Sequence, residues 1–249
     1  MGKPFVWVAL DELRTNERKA LMLAKMLDAE VEGQFGFKVN ADWIYERGFA
    51  NSPLVLLPKR PIFLDLKQWF GARTMSEILD MCWSSGATAT NIHALAGALN
   101  PSAGKPAQKG ELTKAIELFR NRHPGTDMRI YTVSILTHYG DAYVRRHFGR
   151  SLAEEISILA EETLAADADG IIMPGTQLAQ ADSILGLTDF RKIFPGTRWE
   201  EFADDRHEQE IHPTAVCGRA DVELVCGSPI WKSKDPAGAL KTLLHLLSC

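Results

Sequence analysis

Apolar positions along the chain follow two alternating rhythms. Short runs rich in β-branched and aromatic residues occur at Phe5–Leu10, Gln34–Val39, Pro61–Leu66, Ala87–His93, Met128–Leu136, Ala168–Met173, Phe190–Phe194 and Val222–Cys226. Each reads as a strand. Between them, Asn16–Ala29, Met75–Ser85, Leu112–Arg122, Leu152–Ala166 and Ala237–Leu247 place apolar residues three and four apart, the spacing of a helix with one buried face. The segments after the second and seventh strands are less clearly helical. Strands separated by helices pair in parallel through right-handed crossovers. Eight such units predict an α/β fold closed into a single (β/α)8 TIM barrel over residues 1–249, in preference to an open doubly wound sheet.

A chain of 249 residues has the ordinary length of one such barrel, and no fixed-period repeat or Pro/Ser-rich linker divides it. The segment Asn100–Gly110, NPSAGKPAQKG, is expected to be a flexible loop above the mouth of the barrel. Its glycines and lysine do not follow the order of a P-loop. With 28 basic against 32 acidic residues the formal charge is −4, so nucleic acid and anionic membranes are not expected partners. No run approaches the roughly 18 apolar residues of a membrane span. The opening MGKPFVWVALDEL is too short in apolar length and too acidic for a signal peptide, which predicts a cytoplasmic protein. The four cysteines, Cys82, Cys217, Cys226 and Cys249, form no CxxC pair and read as reduced thiols.

In a barrel of this kind the C-terminal ends of the strands face the catalytic mouth, so polar residues there are the candidates for chemistry. Those ends carry Asp11, Lys38, Asp65 with Lys67, His93, Thr137 with His138, the turn Pro195–Gly196–Thr197–Arg198, and Gly227–Ser228–Pro229. Asp65 and Lys67 are two apart on one strand and are expected on the same side of the pleat. Asp11 and Lys38 occupy equivalent strand ends and would add a second pair of opposite charge. The string HEQEIH places His207 and His212 five apart, which is not the spacing that brings two metal ligands onto one helical face, so no metal site is expected.

At these positions the chain resembles the orotidine 5′-monophosphate decarboxylase family, part of a barrel suprafamily that also holds sugar-phosphate decarboxylases and aldolase-like synthases. The matching stretches are VALDEL, FKVNADW, IFLDLK, NIHALAG, SILTHYG, DGIIMPG, IFPGTRW and VELVCGSPIWKSKDPAGAL, in the family order over nearly the whole chain. The resemblance implies a cofactor-free carboxy-lyase acting on a pyrimidine nucleotide, as a homodimer with its sites near the interface. Residue by residue, Lys67 matches the proton donor and Asp65 the carboxylate that orients it. Lys38 and Asp11 match the residues that complete the charged row and hold the ribose. Thr74, Thr137, His138, Gly196, His207, Gly227 and Ser228 fall at positions expected to bind substrate.

The sequence departs from the family pattern at two points. The family motif Asp-x-Lys-x-x-Asp ends in an aspartate that reaches into the partner subunit's site, whereas DLKQWF puts Phe70 there. The family's strand-eight Gly-Arg-Pro presents an arginine fork to phosphate, whereas this chain reads Gly227–Ser228–Pro229–Ile230. His207 stands nearest to the family's loop glutamine. Backbone N–H groups at Gly227 and Ser228 with the Ser228 hydroxyl remain for an anion, and Arg198, Arg206 or Lys232 are candidates to restore the missing cation. Trp69 and Phe70 are expected either at a dimer contact or as a stacking wall for a flat ligand. Two other readings stay open: a family member acting on a different nucleoside, nucleotide or sugar phosphate, and a catalytically silent binding relative.

Overall fold

A computed structural model describes residues 2–11, 16–45, 48–49, 57–102, 105–185, 190–199 and 209–249. Its strands are β1 (Phe5–Ala9), β2 (Phe35–Asn40), β3 (Ile62–Gln68), β4 (Ala89–His93), β5 (Leu99–Ser102), β6 (Lys105–Lys109), β7 (Arg129–Val133), β8 (Gly170–Ile172), β9 (Arg191–Pro195) and β10 (Val222–Cys226). The helices are α1 (Glu17–Glu30), α2 (Asp42–Tyr45), α3 (Ala72–Ser84), α4 (Glu111–Arg122), α5 (Asp141–Phe148), α6 (Leu152–Ala165), α7 (Leu178–Leu185), α8 (Ser228–Trp231) and α9 (Pro236–Leu246). Strands β1, β2, β3, β4, β7, β8, β9 and β10 close into a barrel in that order, β10 returning to β1. Every neighbouring pair in it is parallel. These eight are the strands expected from the sequence. The weakly helical segments hold only the four-residue α2 and a 3-10 turn at Pro213–Val216 among the described residues.

Local chemistry explains where the helices begin and which face they bury. In α1 the Asn16 side chain accepts from the Lys19 N–H, and Ala20, Leu23, Ala24 and Leu27 turn inward at helical spacing. Helix α6 opens on a reciprocal cap: the Ser151 hydroxyl accepts from the Glu154 N–H, and the Glu154 carboxylate accepts from the Ser151 N–H. Helix α9 starts with Asp235 as cap and Pro236 in its first turn.

Two expectations change. The segment Asn100–Gly110 is not simply a loop: β5 and β6 pair as an antiparallel hairpin, Leu99 opposite Lys109 and Asn100 opposite Gln108. Alternation in that stretch is masked by Pro101 and Pro106, which demote a run in any sequence-based reading. The four cysteines are not all free thiols either. Cys217 and Cys249 are joined, with Cα atoms 5.7 Å apart across a sequence separation of 32. No short spacing announces that pair. The turn at Gly218 donates its N–H to the Leu247 carbonyl and so brings the end of the chain against Cys217. Cys82 and Cys226 are buried free thiols, each pushed up to about 12 by burial.

Period two along each strand fills the barrel in layers. The lowest layer holds Trp7, Phe63, Tyr131 and Glu223, all buried. Glu223 accepts from Trp7 Nε1 at 2.6 Å, from the Tyr131 hydroxyl at 2.9 Å and from Arg129 Nη1 at 2.6 Å. This carboxylate would be costly to bury alone, and three donors satisfy it. Two residues further along the same strands come Ala9, Asp65, Val133 and Val225. The apolar members of that set, with Phe63 and Ile172, line the base of an upper cavity.

Candidate active site

The cavity at the C-terminal end of the barrel holds about 350 Å³, within the range of small-molecule sites. Of the residues singled out from sequence, Asp11, Lys38, Asp65, Lys67, Thr137, His138, Gly196, Gly227 and Ser228 line it. Thr74 lies in the first turn of α3 and is not among the lining residues. His207 and Arg206 lie outside the described residues.

One wall is a row of alternating charge. Lys38 Nζ is 2.8 Å from Asp11 Oδ2 and 2.9 Å from Asp65 Oδ2. Lys67 Nζ is 2.7 Å from the other Asp65 oxygen, Oδ1. Each strand supplies its member by position: Ala9 stands beside Lys38 across β1 and β2, and Asn40 beside Asp65 across β2 and β3. Two amides unnoticed in the sequence complete the row. Asn40 Oδ1 accepts from Lys38 Nζ at 2.8 Å. Asn91 Nδ2 donates to Asp65 Oδ1 at 2.7 Å, and Asn91 Oδ1 accepts from the Lys67 N–H at 2.7 Å. The signal for both was available, since Asn40 lies two beyond Lys38 and Asn91 two before His93, each on the inward register of its strand.

The expected pairing of Asp65 with Lys67 forms, but not on a regular pleat. Register between β3 and β4 shifts between Leu64 and Gln68, and Lys67 adopts φ 47°. That left-handed conformation costs a residue with a Cβ roughly 1–2 kcal/mol. Irregularities of this kind re-aim a side chain next to an active site.

Packing these charges together shifts Asp11, Lys38 and Asp65 by opposing effects. Burial pushes the Asp65 carboxyl up, but Lys38 and Lys67 outweigh it and hold it well below the ordinary 3.8. Burial also opposes the Lys38 ammonium, and Asp11 and Asp65 more than reverse this, raising it above 10.5. Asp11 is lifted above 3.8 because its burial exceeds the pull of Lys38. His93 is lowered from 6.5 by burial and then by Lys67. It does not line the cavity; its ring stacks on Trp69 at 5.6 Å, and Nδ1 accepts from the Leu95 N–H.

The opposite wall carries one buried cation. After β9, Gly196 takes φ 78°, a turn that suits glycine. Arg198 follows, donating its N–H to the Ile211 carbonyl at 3.1 Å. Its side chain is 7% exposed, with Nη2 3.4 Å from Ser228 Oγ and Nε 3.6 Å from Glu210 Oε1. Of the three cations considered from sequence, Arg198 is the one in the cavity wall among the described residues. Lys232 is exposed, 5.0 Å over the Trp231 ring. Trp69 and Phe70 are 59% and 49% exposed and stand outside the cavity wall. Among the described residues no group of three or more His, Cys, Asp or Glu is placed to hold a metal ion, and no helix is long and apolar enough to cross a membrane.

Comparison with known proteins gives this arrangement a family. The sequence profile of the orotidine 5′-phosphate decarboxylase / HUMPS family matches residues 4–243. The chain belongs to that family. Among curated members, the orotidine 5′-phosphate decarboxylase of Sulfurimonas denitrificans is 27% identical over 241 residues, covering 96% of this chain and 97% of the relative. That of Paramagnetospirillum magneticum is 28% identical over 239 residues, covering 94% of each. The fold agrees with solved structures: orotidine 5′-phosphate decarboxylase from Lactobacillus acidophilus superposes with a TM-score of 0.70 at 21% identity, over 99% of this chain and 100% of that one. An uncharacterized conserved protein from Geobacillus kaustophilus gives 0.75 at 18% identity, over 98% and 100%. By family, then, the protein is an orotidine 5′-phosphate decarboxylase-like carboxy-lyase, and its membership rests on full-length similarity and not on a single motif.

Proposed function

We propose that the protein decarboxylates orotidine 5′-monophosphate to the corresponding uridine nucleotide, with no cofactor taking part, as a step of pyrimidine biosynthesis. The observation that carries this reading is the Asp65 carboxylate held between two ammonium groups, Lys38 at 2.9 Å and Lys67 at 2.7 Å. Loss of carbon dioxide breaks the bond between the ring carbon and its carboxyl group and leaves the electron pair on that carbon. A fixed cation must face this developing charge, and a proton must follow. Lys67 supplies both: its ammonium stands at the cavity surface, 39% exposed, and transfers one N–H proton to the ring carbon. Water entering from the mouth returns the proton to Lys67.

The other members of the row hold it rigid. Asp65 stays ionised because two cations face it, so it orients Lys67 without competing for the transferred proton. Lys38, anchored by Asp11, Asp65 and Asn40, is in place before substrate arrives, and no charge has to reorient during the reaction. In this reading Asp11 and Lys38 contact the ribose, Thr137 and His138 the pyrimidine, and Gly196, Gly227 and Ser228 the phosphate end. Arg198 supplies the cation that Ser228 does not. Thr74 and His207 complete the substrate contacts, Thr74 at the edge of a second subunit's site.

The same reading makes the protein a single-barrel homodimer of the cytoplasm. The exposed Trp69 and Phe70 beside the catalytic strand support a contact between copies there. The direct test is to follow loss of pyrimidine absorbance when purified protein is mixed with orotidine 5′-monophosphate. Turnover by the native protein and none by Lys67→Ala is the expected result. No turnover at high enzyme concentration rejects the reading.

A further inference from the structure

We infer that Asn91 is a positioning residue for the proton-donating lysine, acting on Lys67 through its backbone and through Asp65; this rests on the reaction proposed above. Asn91 stands on the inward register of β4 and is fully buried. Its side chain makes two contacts of 2.7 Å to two different parts of the β3 segment: it accepts from the Lys67 N–H and donates to Asp65 Oδ1. Asp65 Oδ1 is also the oxygen that pairs with Lys67 Nζ. The three groups therefore close a ring: backbone of Lys67 to Asn91, Asn91 to Asp65, and Asp65 to the ammonium of Lys67.

The ring matters because nothing else in the regular ladder fixes this stretch. Register between β3 and β4 is interrupted between Leu64 and Gln68, and Lys67 is in the left-handed region at φ 47°. A side-chain carbonyl, and not a strand carbonyl, takes the Lys67 N–H. Strained backbone persists only where its surroundings over-determine it, and Asn91 provides that determination at both ends of the Asp65–Leu66–Lys67 unit. The chemistry dictates the orientation of the amide, since its oxygen must face an N–H and its nitrogen a carboxylate. An amide offers both functions at one position without a change of protonation. A carboxylate there would lose the donor and set a second negative charge against Asp65, and alanine would leave the Lys67 N–H without its acceptor.

The experiment compares the wild type, Asn91→Asp and Asn91→Ala by steady-state kinetics with orotidine 5′-monophosphate, by thermal unfolding, and by hydrogen exchange of assigned backbone amides. Misplacing a catalytic group by about an ångström costs on the order of 100-fold in rate. Asn91→Asp is expected to lower kcat by that factor while KM changes less than about threefold, the split of an interaction made for the transition state. Lowering the pH should restore part of the lost kcat of Asn91→Asp relative to wild type, because protonating the introduced carboxyl returns a donor toward Asp65. A purely structural role would not produce that recovery. In Asn91→Ala the Lys67 amide should lose at least about tenfold of its exchange protection while the Leu64 amide keeps its own.

An unchanged kcat in folded Asn91→Asp overturns the inference, and so does a Lys67 amide that stays protected in folded Asn91→Ala. If Asn91→Ala does not fold, the kinetics of Asn91→Asp decide alone, because its oxygens still accept from the Lys67 N–H and leave exchange unchanged; an unimpaired kcat in that folded variant overturns the inference. Should the wild type fail to turn over the nucleotide, the reaction proposed above falls. Selective loss of Lys67 protection in Asn91→Ala would then still support the placement of Lys67 by Asn91, and its retention would overturn it.

Discussion

Arg198 reaches Ser228 on the neighbouring strand end, Nη2 to Oγ at 3.4 Å. The guanidinium starts from the turn after β9 and arrives at the turn after β10, where the resemblance expects an arginine and the chain has serine. A cation is thus present at the end of the cavity proposed to take the phosphate, carried by a different strand and paired with Glu210.

If Arg198 holds the phosphate, Arg198→Ala should raise KM for the nucleotide about 10- to 100-fold, the weight of one charge-assisted contact. The effect on the corresponding nucleoside should be small. Ser228→Arg should tighten nucleotide binding, since it adds a second fork at the same end. Paired measurements of KM for nucleotide and nucleoside check both outcomes; equal losses for the two ligands would remove Arg198 from the phosphate site.

The charged row sets a pH dependence of stability with a definite sign. Asp65 ionises below its ordinary 3.8 in the folded protein. Its contribution is therefore complete above that value and is lost only as pH falls through the depressed one. Lys38 is raised above 10.5, so its contribution is complete below that value and is lost as pH rises through the raised one. Between about pH 5 and pH 10 neither group changes its contribution. Urea unfolding of wild type and Asp65→Asn at pH 5, 7 and 9 should show a gap that stays constant. A gap that grows steadily with pH over this interval would contradict the assignment.

Phe70 is half exposed and outside the cavity of its own barrel, at the position where the family pattern has an aspartate directed to the partner subunit. Phe70→Asp should raise kcat/KM by about tenfold, short of the 100-fold or more typical of a fixed charge in a native site. If the protein is the homodimer proposed above, the gain should disappear on dilution to the monomer, because the new carboxylate would serve the other copy. Activity measured against protein concentration tests this; an unchanged or lower rate removes Phe70 as the limiting difference.

Away from the mouth, Lys192 is completely buried and ion-paired to Asp221 at 2.8 Å. Burial pushes the Asp221 carboxyl up, but hydrogen bonds from Arg219 and Lys192 hold it at about 2. Asp221→Asn should cost about 2–3 kcal/mol at neutral pH, with kcat unchanged in the protein that remains folded. The Asp221 contribution is full above 3.8 and fades as pH falls through about 2. Denaturant unfolding at pH 7 and pH 3 measures both effects.

The barrel was legible in the sequence because eight apolar runs recur, five of them followed by a helical pattern, and the charged row because its members sit at strand ends. Less was visible where spacing carries no signal. Asn40 and Asn91 look like ordinary strand residues until register places them beside Lys38 and Asp65. The left-handed turn at Lys67 cannot be read from a lysine, which rarely adopts it. Arg198 was one of three interchangeable cations until the Gly196 turn and the Ile211 contact aimed it inward. Cys217 and Cys249 meet only because the end of the chain returns to the Gly218 turn.

The buried lower layer of the barrel makes the cavity, among the described residues, a vessel open at its mouth. Trp7, Phe63 and Tyr131 fill the far end, and Glu223 ties Trp7 and Tyr131 together while accepting from Arg129. Under the proposed reaction, the gas that leaves, the nucleotide that leaves and the proton that recharges Lys67 all cross the same doorway. Arg198 and Ser228 stand at that doorway. If Arg198 holds the phosphate, a grip that is too firm would slow traffic for all three, and exchanging the strand-eight fork for a cation shared with Glu210 would then set how quickly the vessel empties as well as how tightly it fills.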